Sequence, residues 1–369
     1  MNKPSATTAA PALDDLRQKA WDGQRLSPAE ALRLYDLPLA ELGLLANHRR
    51  QTVKAAAYGG RGREIVTYIV DRNINYTNIC NVYCKFCAFY RTERDSDAYV
   101  ISMAEMDRKI EETIALGGTQ ILLQGGHHPK LSLQWYLDML SHIKGKFPQV
   151  NIHGFSPSEF VHFQEVFQRP VAELIALFAQ AGLGSIPGGG AEILVDRVRQ
   201  RISPRKAMSD DWLGVMDAAH RLGLKTSATM MFGHVETPAD RVEHLDRLRT
   251  QQDKTGGFTA FIGWTFQPEN TLLKAPTVGA HEYLRTQALA RLYLDNFPNV
   301  QSSWVTQGPE IGQVALQFGA NDLGSIMIEE NVVSQAGASF RMTVRDMRRL
   351  IEELGCEPRQ RDNWYNLVN

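Results

Sequence analysis

From Ile65 onward, short apolar or β-branched runs alternate with segments of helical period, and no other feature narrows the fold as much. It is the sequence form of repeated βα units around a parallel sheet. Eight strands are expected, at Ile65 to Asn75, Thr119 to Leu123, Val150 to His153, Leu183 to Ile186, Thr226 to Met231, Phe258 to Phe266, Val300 to Trp304 and Asp322 to Ile326. Eight units favour a closed α/β (βα)8 barrel of the TIM type over an open sheet. A chain of 369 residues, 43% of them hydrophobic, can bury a core of that size.

Helix signals support this parsing. Ser102 and Glu105 form a capping box before the stripe Met106, Ile110, Ile114. Pro170 opens a helix that Gly182 closes, Ser209 is the expected N-cap of one that Gly223 ends, and Thr237 with Pro238 opens another through Leu248. The link from the seventh to the eighth strand is short for a barrel helix. The expected organisation is a disordered stretch over 1–12, a helical extension over 13–60, the barrel over 61–330 and a C-terminal helical extension over 331–369. Two helical patterns fill the first extension, from Leu13 to Gln24 and from Ser27 to about Ala57. The arginine- and glutamate-rich segment Thr343 to Gly355 is expected as a helix outside the barrel.

Forty basic side chains against forty-one acidic ones give a formal net charge of −1, which argues against a nucleic-acid partner. No segment has the apolar length of a membrane span, and the first residues carry no signal-peptide core. We therefore expect a cytoplasmic protein, where thiols stay reduced.

Three of the four cysteines, Cys80, Cys84 and Cys87, stand in C-N-V-Y-C-K-F-C directly after the first strand. A CxxxCxxC can ligate three irons of a [4Fe-4S] cluster and leave the fourth open to chemistry. Zinc is the alternative, but it wants a fourth ligand nearby. The nearest histidines, His48, His127 and His128, lie about 30 to 40 residues away, outside finger spacings. If Cys356 reached the cluster the open iron would vanish, and a non-catalytic electron carrier would gain as a reading.

In a βα barrel the active site forms at the C-terminal ends of the strands, and the unusual residues collect there. After the second strand come Gln124, Gly125, Gly126, His127 and His128; after the third, His153 to Glu159, with Ser156 among them; after the fourth, Gly188, Gly189 and Gly190 before Glu192. The glycines allow close approach of the backbone to a ligand. Glu192 could accept hydrogen bonds from hydroxyls, or be a first-turn helix carboxylate. The fifth strand delivers His234 and Glu236, and the sixth Gln267 to Asn270. His128, His153 and His234 sit at strand ends; His142, His162, His220, His244 and His281 fall on helix or loop patterns. Phe86, Phe89 and Tyr90 line a ligand site or pack beneath the cysteine loop.

This spacing, with Phe86 before the last cysteine, resembles the radical S-adenosylmethionine (SAM) superfamily. The segments R-N-I-N-Y-T-N, C-A-F-Y-R, L-L-Q-G-G-H-H-P, H-G-F-S-P-S-E, P-G-G-G-A-E-I-L, M-M-F-G-H-V-E-T and G-W-T-F-Q-P-E-N-T together resemble the cyclic dehypoxanthine futalosine synthase family of menaquinone biosynthesis. Aminofutalosine synthases and the enzymes of deazaflavin-chromophore assembly are similar families.

The resemblance implies a cluster on Cys80, Cys84 and Cys87 with SAM on the fourth iron. It implies SAM contacts from Phe86, Gln124, Gly125, Gly126, Ser156 and Glu192, the last at the ribose. The implied reaction takes hydrogen from the sugar C4' of dehypoxanthine futalosine by a 5'-deoxyadenosyl radical, closes a ring onto the benzoate, and loses an electron and a proton. His153, His234 and Glu236 are candidates for the late proton; Arg91, Asn270 or the glycine-rich backbone for the substrate carboxylate. Reduced flavodoxin or ferredoxin is the implied electron donor.

Overall fold

A computed structural model of the protein describes residues 12–368. The expectation for residues 1 to 11 lies outside the described residues. Three helices come first, α1 (Leu13–Trp21), α2 (Pro28–Tyr35) and α3 (Leu39–Lys54). The long helical pattern from Ser27 is thus broken in two. Pro38 forbids helical geometry at the residue before it and starts α3 afresh as its N-cap.

The barrel follows as β1 (Ile65–Ile69), β2 (Asp71–Asn75), α4 (Met103–Ala115), β3 (Gln120–Gln124), α5 (Leu133–Lys146), β4 (Asn151–Gly154), α6 (Pro157–Phe167) and α7 (Val171–Ala181). It continues as β5 (Leu183–Ile186), α8 (Asp196–Ile202), α9 (Ser209–Arg221), β6 (Lys225–Phe232), α10 (Pro238–Thr255), β7 (Phe258–Thr265) and α11 (Ala280–Tyr293). The last elements are β8 (Val300–Gln301), α12 (Trp304–Gln307), α13 (Pro309–Ala315), β9 (Asp322–Ser325), α14 (Val344–Glu352) and β10 (Glu357–Gln360).

All strands pair in parallel, in the order β10-β1-β9-β8-β7-β6-β5-β4-β3-β2. The expected first strand is one run of chain interrupted at Val70, so the two ends of this order meet. Its lower half, β1, takes β9 on one edge and β10 on the other; its upper half, β2, takes β3. The result is a curled, all-parallel sheet with helices on its outer face, a TIM-like α/β fold.

Three local expectations change. Met208 rather than Ser209 caps α9, its amide accepted by Asp211 (3.0 Å), because Ser209 turns to Asp196 instead (Oγ to carboxylate, 2.6 Å). Trp304, expected at the end of a strand, opens α12. The C-terminal stretch, expected as helical, carries α14 and then a strand. Glu-Pro-Arg-Gln has no apolar alternation to announce β10, but an edge position tolerates Pro358, whose missing donor can face away from the ladder. The helix α14 does lie outside the barrel: Met347, Leu350 and Ile351 share an apolar cluster with Val66, Tyr68 and Val70.

Candidate active site

The cysteine loop leaves β2 and is held by main-chain hydrogen bonds. The Cys80 amide donates to the Arg91 carbonyl (3.0 Å), Asn81 to His127 (3.2 Å), Lys85 to Ile202 (2.9 Å) and Cys87 to Cys84 (3.2 Å). Arg91 spends its guanidinium on the carbonyls of Ala88, Phe89 and Tyr90 and on Asp97. It is a brace for the loop, with its Nε and Nη1 committed there.

All three cysteines are free thiols. Burial, with added repulsion from Cys87 and Cys80, pushes the Cys84 thiol up to about 12, and burial also raises Cys87. The three therefore sit within electrostatic reach of one another in a setting that needs positive charge to hold thiolates. No three or more His, Cys, Asp or Glu among the described residues are arranged around a single metal ion. Three thiols on one loop are a donor set that fits an iron–sulfur cluster, one iron per sulfur.

Cys356 is elsewhere. It immediately precedes β10, whose first residue pairs with Ile65 at the start of β1, so it lies at the opposite end of the barrel from the loop that follows β2. Its sulfur sits beside Arg50 and the Leu354 carbonyl.

The glycines after β3 are required by the protein itself. A Cβ on Gly125 would lie 2.5 Å from the Tyr76 ring, and one on Gly126 would lie 2.2 Å from the Ile79 carbonyl oxygen and 2.9 Å from Cys80 Cβ. The end of β4 is joined to this loop through Glu159, a strand-end residue to which the sequence assigned no role. Glu159, fully buried, accepts from the Tyr76 hydroxyl (2.7 Å), the Gly125 amide (3.1 Å), the Ser156 amide (2.7 Å) and the Ser156 hydroxyl (2.8 Å). Ser156 is thus the N-cap of α6 in a reciprocal capping box, and its hydroxyl is committed there. The S-P-S-E string was a visible signal for this box. Behind it Tyr76, Tyr136, Phe155, Phe160, Phe163 and Phe178 pack ring to ring.

Glu192 is not in a helix; it lies in the loop before α8 at φ +43°, a left-handed conformation uncommon outside glycine. The reading of it as a first-turn helix carboxylate falls. Its side chain, buried, pairs with Lys206 Nζ at 2.7 Å. That lysine also stands 5.2 Å over the Phe86 ring. Burial alone would lower its pKa, but Glu192 and Cys84 outweigh burial and the net shift is upward, so Lys206 is a fixed cation beside the cysteine loop. Nothing local in S-P-R-K-A-M marks it.

A cavity of about 300 Å³ fills the barrel, lined at the mouth by Gln124, Gly188, Gly189, Gly190 and Glu192, and lower down by Asn73, His153 and Tyr365. His153 donates to or accepts from Ser185 Oγ (2.7 Å), and burial, with Arg361 adding, pulls it down to about 3. It is a neutral imidazole in the cavity wall.

His234 and Glu236 do not line this cavity. Their side chains are fully shielded from solvent and engaged with each other (3.0 Å), the Met231 carbonyl and Arg241. They tie the turn between β6 and α10, so their strand-end position does not bring them to the cavity wall. Asn270 is exposed and donates to the Gln335 carbonyl (2.9 Å). His128 accepts from the amides of Lys130 and Leu131.

No helix among the described residues is long and apolar enough to cross a membrane. Comparison with known proteins adds two regional matches: the radical SAM superfamily over residues 74–248 and the CofH/MqnC C-terminal region over residues 255–369. The fold matches methylornithine synthase (TM-score 0.71, 16% identity, 93% of this chain and 97% of that one) and the hydrogenase maturase HydG (TM-score 0.72, 16%, 94% and 76%). Among curated relatives, cyclic dehypoxanthine futalosine synthase of Halalkalibacterium halodurans is 43% identical over 96% of this chain and 95% of its own. The protein of that name from Streptomyces coelicolor is 45% identical over 96% and 88%. Aminodeoxyfutalosine synthase of Thermus thermophilus is 38% identical over 97% and 96%. With a cysteine loop, glycine-lined mouth and barrel of this kind, and relatives spanning nearly its whole length, the chain belongs to the radical SAM superfamily, in the family that carries the CofH/MqnC C-terminal region.

Proposed function

We propose that this protein is a cyclic dehypoxanthine futalosine synthase of menaquinone biosynthesis, closing a ring between the sugar C4' and the benzoate of dehypoxanthine futalosine. The observation that carries the reading is the 43% and 45% identity, over 96% of the chain in each case, to two proteins of that name, against 38% to an aminodeoxyfutalosine synthase.

In this reading Cys80, Cys84 and Cys87 hold a [4Fe-4S] cluster. When bound, the cluster with SAM supplies a 5'-deoxyadenosyl radical. The chain's own residues do the rest. Lys206 and Glu192 form a paired charge beside the cysteines, able to meet the charged and hydroxyl-bearing parts of SAM. Gln124 lines the mouth on that side, the backbone at Gly125 and Gly126 runs on from it against Tyr76 and the cysteine loop, and Phe86 packs under Lys206. His153, neutral in the cavity wall, offers a ring nitrogen to substrate and is the one of the three proton-acceptor candidates that we retain. Holding the reacting atoms close and excluding other hydrogen donors is the protein's main contribution. A cluster loop edged by exposed Lys85, Arg201, Arg205 and Lys274 supports an acidic one-electron donor, reduced flavodoxin or ferredoxin. We place the reaction in the cytoplasm.

The test is anaerobic: the reconstituted, reduced enzyme is given SAM and dehypoxanthine futalosine, and products are weighed by mass spectrometry. Release of 5'-deoxyadenosine with a product two hydrogens lighter than substrate is expected. Incorporation of the adenosyl group into a product from an enol-ether substrate would assign the protein to the aminodeoxyfutalosine reaction instead.

A further inference from the structure

We propose that Trp264 is the platform on which the aromatic ring of the substrate lies, holding that ring across the barrel mouth from the glycine-lined side that takes SAM. The inference rests on the substrate named above.

Around the closed sheet β7 stands four strands from β3 in either direction, so the two face each other across the barrel. Ala260, Ile262 and Trp264 are the alternate residues of β7 that line the cavity, and their size grows toward the mouth. Opposite them β3 presents Gln120, Leu122 and Gln124. Gln124, the last residue of that strand, lies against the glycine loop: a Cβ on Gly189 would come 2.4 Å from its Nε2. The mouth therefore has two unlike sides. The cysteine loop, the glycines and Glu192 follow β2, β3 and β5, whereas Trp264 stands on the far side among Ile262, Val305, Met327, Val332 and Val333.

Two tryptophans line the cavity, and one has its ring to spare. Trp304 is 1% exposed and donates its indole N–H to the Ser325 carbonyl (2.9 Å). Trp264 is half-buried, and among the described residues no ring stacks on it and no acceptor takes its N–H. The carboxylate on this side, Glu330, is spent on the amides of Val332 (3.0 Å), Val333 (2.7 Å) and Ser334 (2.8 Å). An indole face left uncovered among aliphatic side chains suits a flat apolar ring, since aromatic pairs gain more than the area they bury. Dehypoxanthine futalosine has one such ring, its benzoate. With that ring on Trp264 and the sugar toward Gln124, C4' lies between the source of the radical and the carbon it must join. Trp264 is one residue from the end of β7, so the carboxylate of a ring lying on it can stay at the rim, toward water.

The test compares dehypoxanthine futalosine with an analogue whose benzoate is saturated to a cyclohexanecarboxylate, which keeps the charge and roughly the volume but loses the π face. Binding is measured by calorimetry on the cluster-loaded enzyme with SAM, the cluster left oxidised so that no SAM is cleaved. The wild type should prefer the aromatic ligand by about 2- to 10-fold, the worth of one ring–ring contact. Trp264→Leu should lose that preference and Trp264→Phe keep most of it. Turnover in D2O gives a second readout. A C4' radical that finds no ring is quenched by one electron from the reductant and one deuteron from the solvent. Trp264→Leu should thus release more 5'-deoxyadenosine per cyclised product than the wild type, and return substrate deuterated at C4'. A wild type without the preference, an equal loss of both ligands in Trp264→Leu, or a product ratio that stays at the wild-type value overturns the proposal. Should Trp264→Leu fail to fold, Trp264→Met carries the same comparisons. A wild type that binds SAM but not dehypoxanthine futalosine would refute the functional reading itself, a different outcome from any of these.

Discussion

The two ends of this barrel are held together by different forces. At the mouth, main-chain amides and carbonyls fix the cysteine loop to Arg91, His127 and Ile202, with the Arg91 guanidinium and the Glu159 carboxylate as braces, leaving the cysteine side chains free for chemistry. At the floor, buried side-chain charges do the fixing. Asp322 receives Arg361, the Thr67 hydroxyl (2.5 Å) and the Gly324 amide (2.9 Å), and nearby Lys54 donates to Asn299 (2.9 Å) and Arg291 to Asn321 (2.6 Å). A side-chain change at the mouth should therefore cost function with little cost in folding. At the floor the same kind of change should cost folding, because it strands a partner in low dielectric.

The sharpest test of the mouth is Cys84→Ser. Iron content and 5'-deoxyadenosine release should fall below detection, a loss of at least about 10³-fold, while the denaturation midpoint of the metal-free protein moves by under about 1 kcal/mol equivalent. An intact cluster in that variant would break the assignment of ligands. For the floor, Arg361→Met should destabilise the chain by about 3–5 kcal/mol in urea titration, because Asp322 is left charged and alone. Pairing it with Asp322→Leu should recover most of that loss; no recovery would mean that the tail acts through packing alone.

Lys206→Met tests where the boundary between the two regimes lies, since a buried ion pair at the mouth is an exception to the pattern there. SAM affinity, followed by calorimetry, should drop by about 10-fold, with a smaller loss of stability than at the floor. The weakest effect is expected at the turn after β6. Burial alone would raise Glu236, but His234 and Arg241 outweigh it and hold its carboxyl below the ordinary value of 4.5. A depressed carboxyl contributes stability above its unfolded pKa and loses it as pH falls through the folded one. The difference in melting temperature between wild type and Glu236→Gln should thus be constant above about pH 5 to 6 and shrink as pH falls below the ordinary carboxylate range, through the depressed folded pKa. A difference that persisted in acid would show the carboxylate to be immaterial to that turn.

How much of this was legible in the sequence follows the same division. The mouth is made of contiguous strings, and C-N-V-Y-C-K-F-C, Q-G-G and P-G-G-G-A-E each announce themselves. What they do not announce is orientation. His234 and Glu236 stand at a strand end like His153, yet only His153 faces the cavity, because the turn at Gly233 pairs the other two with each other and Glu236 with Arg241. Nor do they announce partners across a helix: Lys206 reaches Glu192 only because α8 lies between them and returns the chain. The floor was not legible. Asn363 and Tyr365 lie in a polar tail whose strand, β10, borrows its geometry from β1, and no local period could reveal a pairing across nearly three hundred residues.

The β1–β10 ladder also sets how the protein meets a pulling force. The two strands are parallel, paired from Ile65 with Glu357 to Tyr68 with Gln360, with the chain entering at the foot of one and leaving at the head of the other. Tension applied across these two points loads the ladder along the strands, so its hydrogen bonds resist together in shear and do not peel one by one. An unfolding motor drawing on the C-terminal side would first open the antiparallel turn that pairs Arg361 with Leu367, and would then meet this ladder loaded in shear.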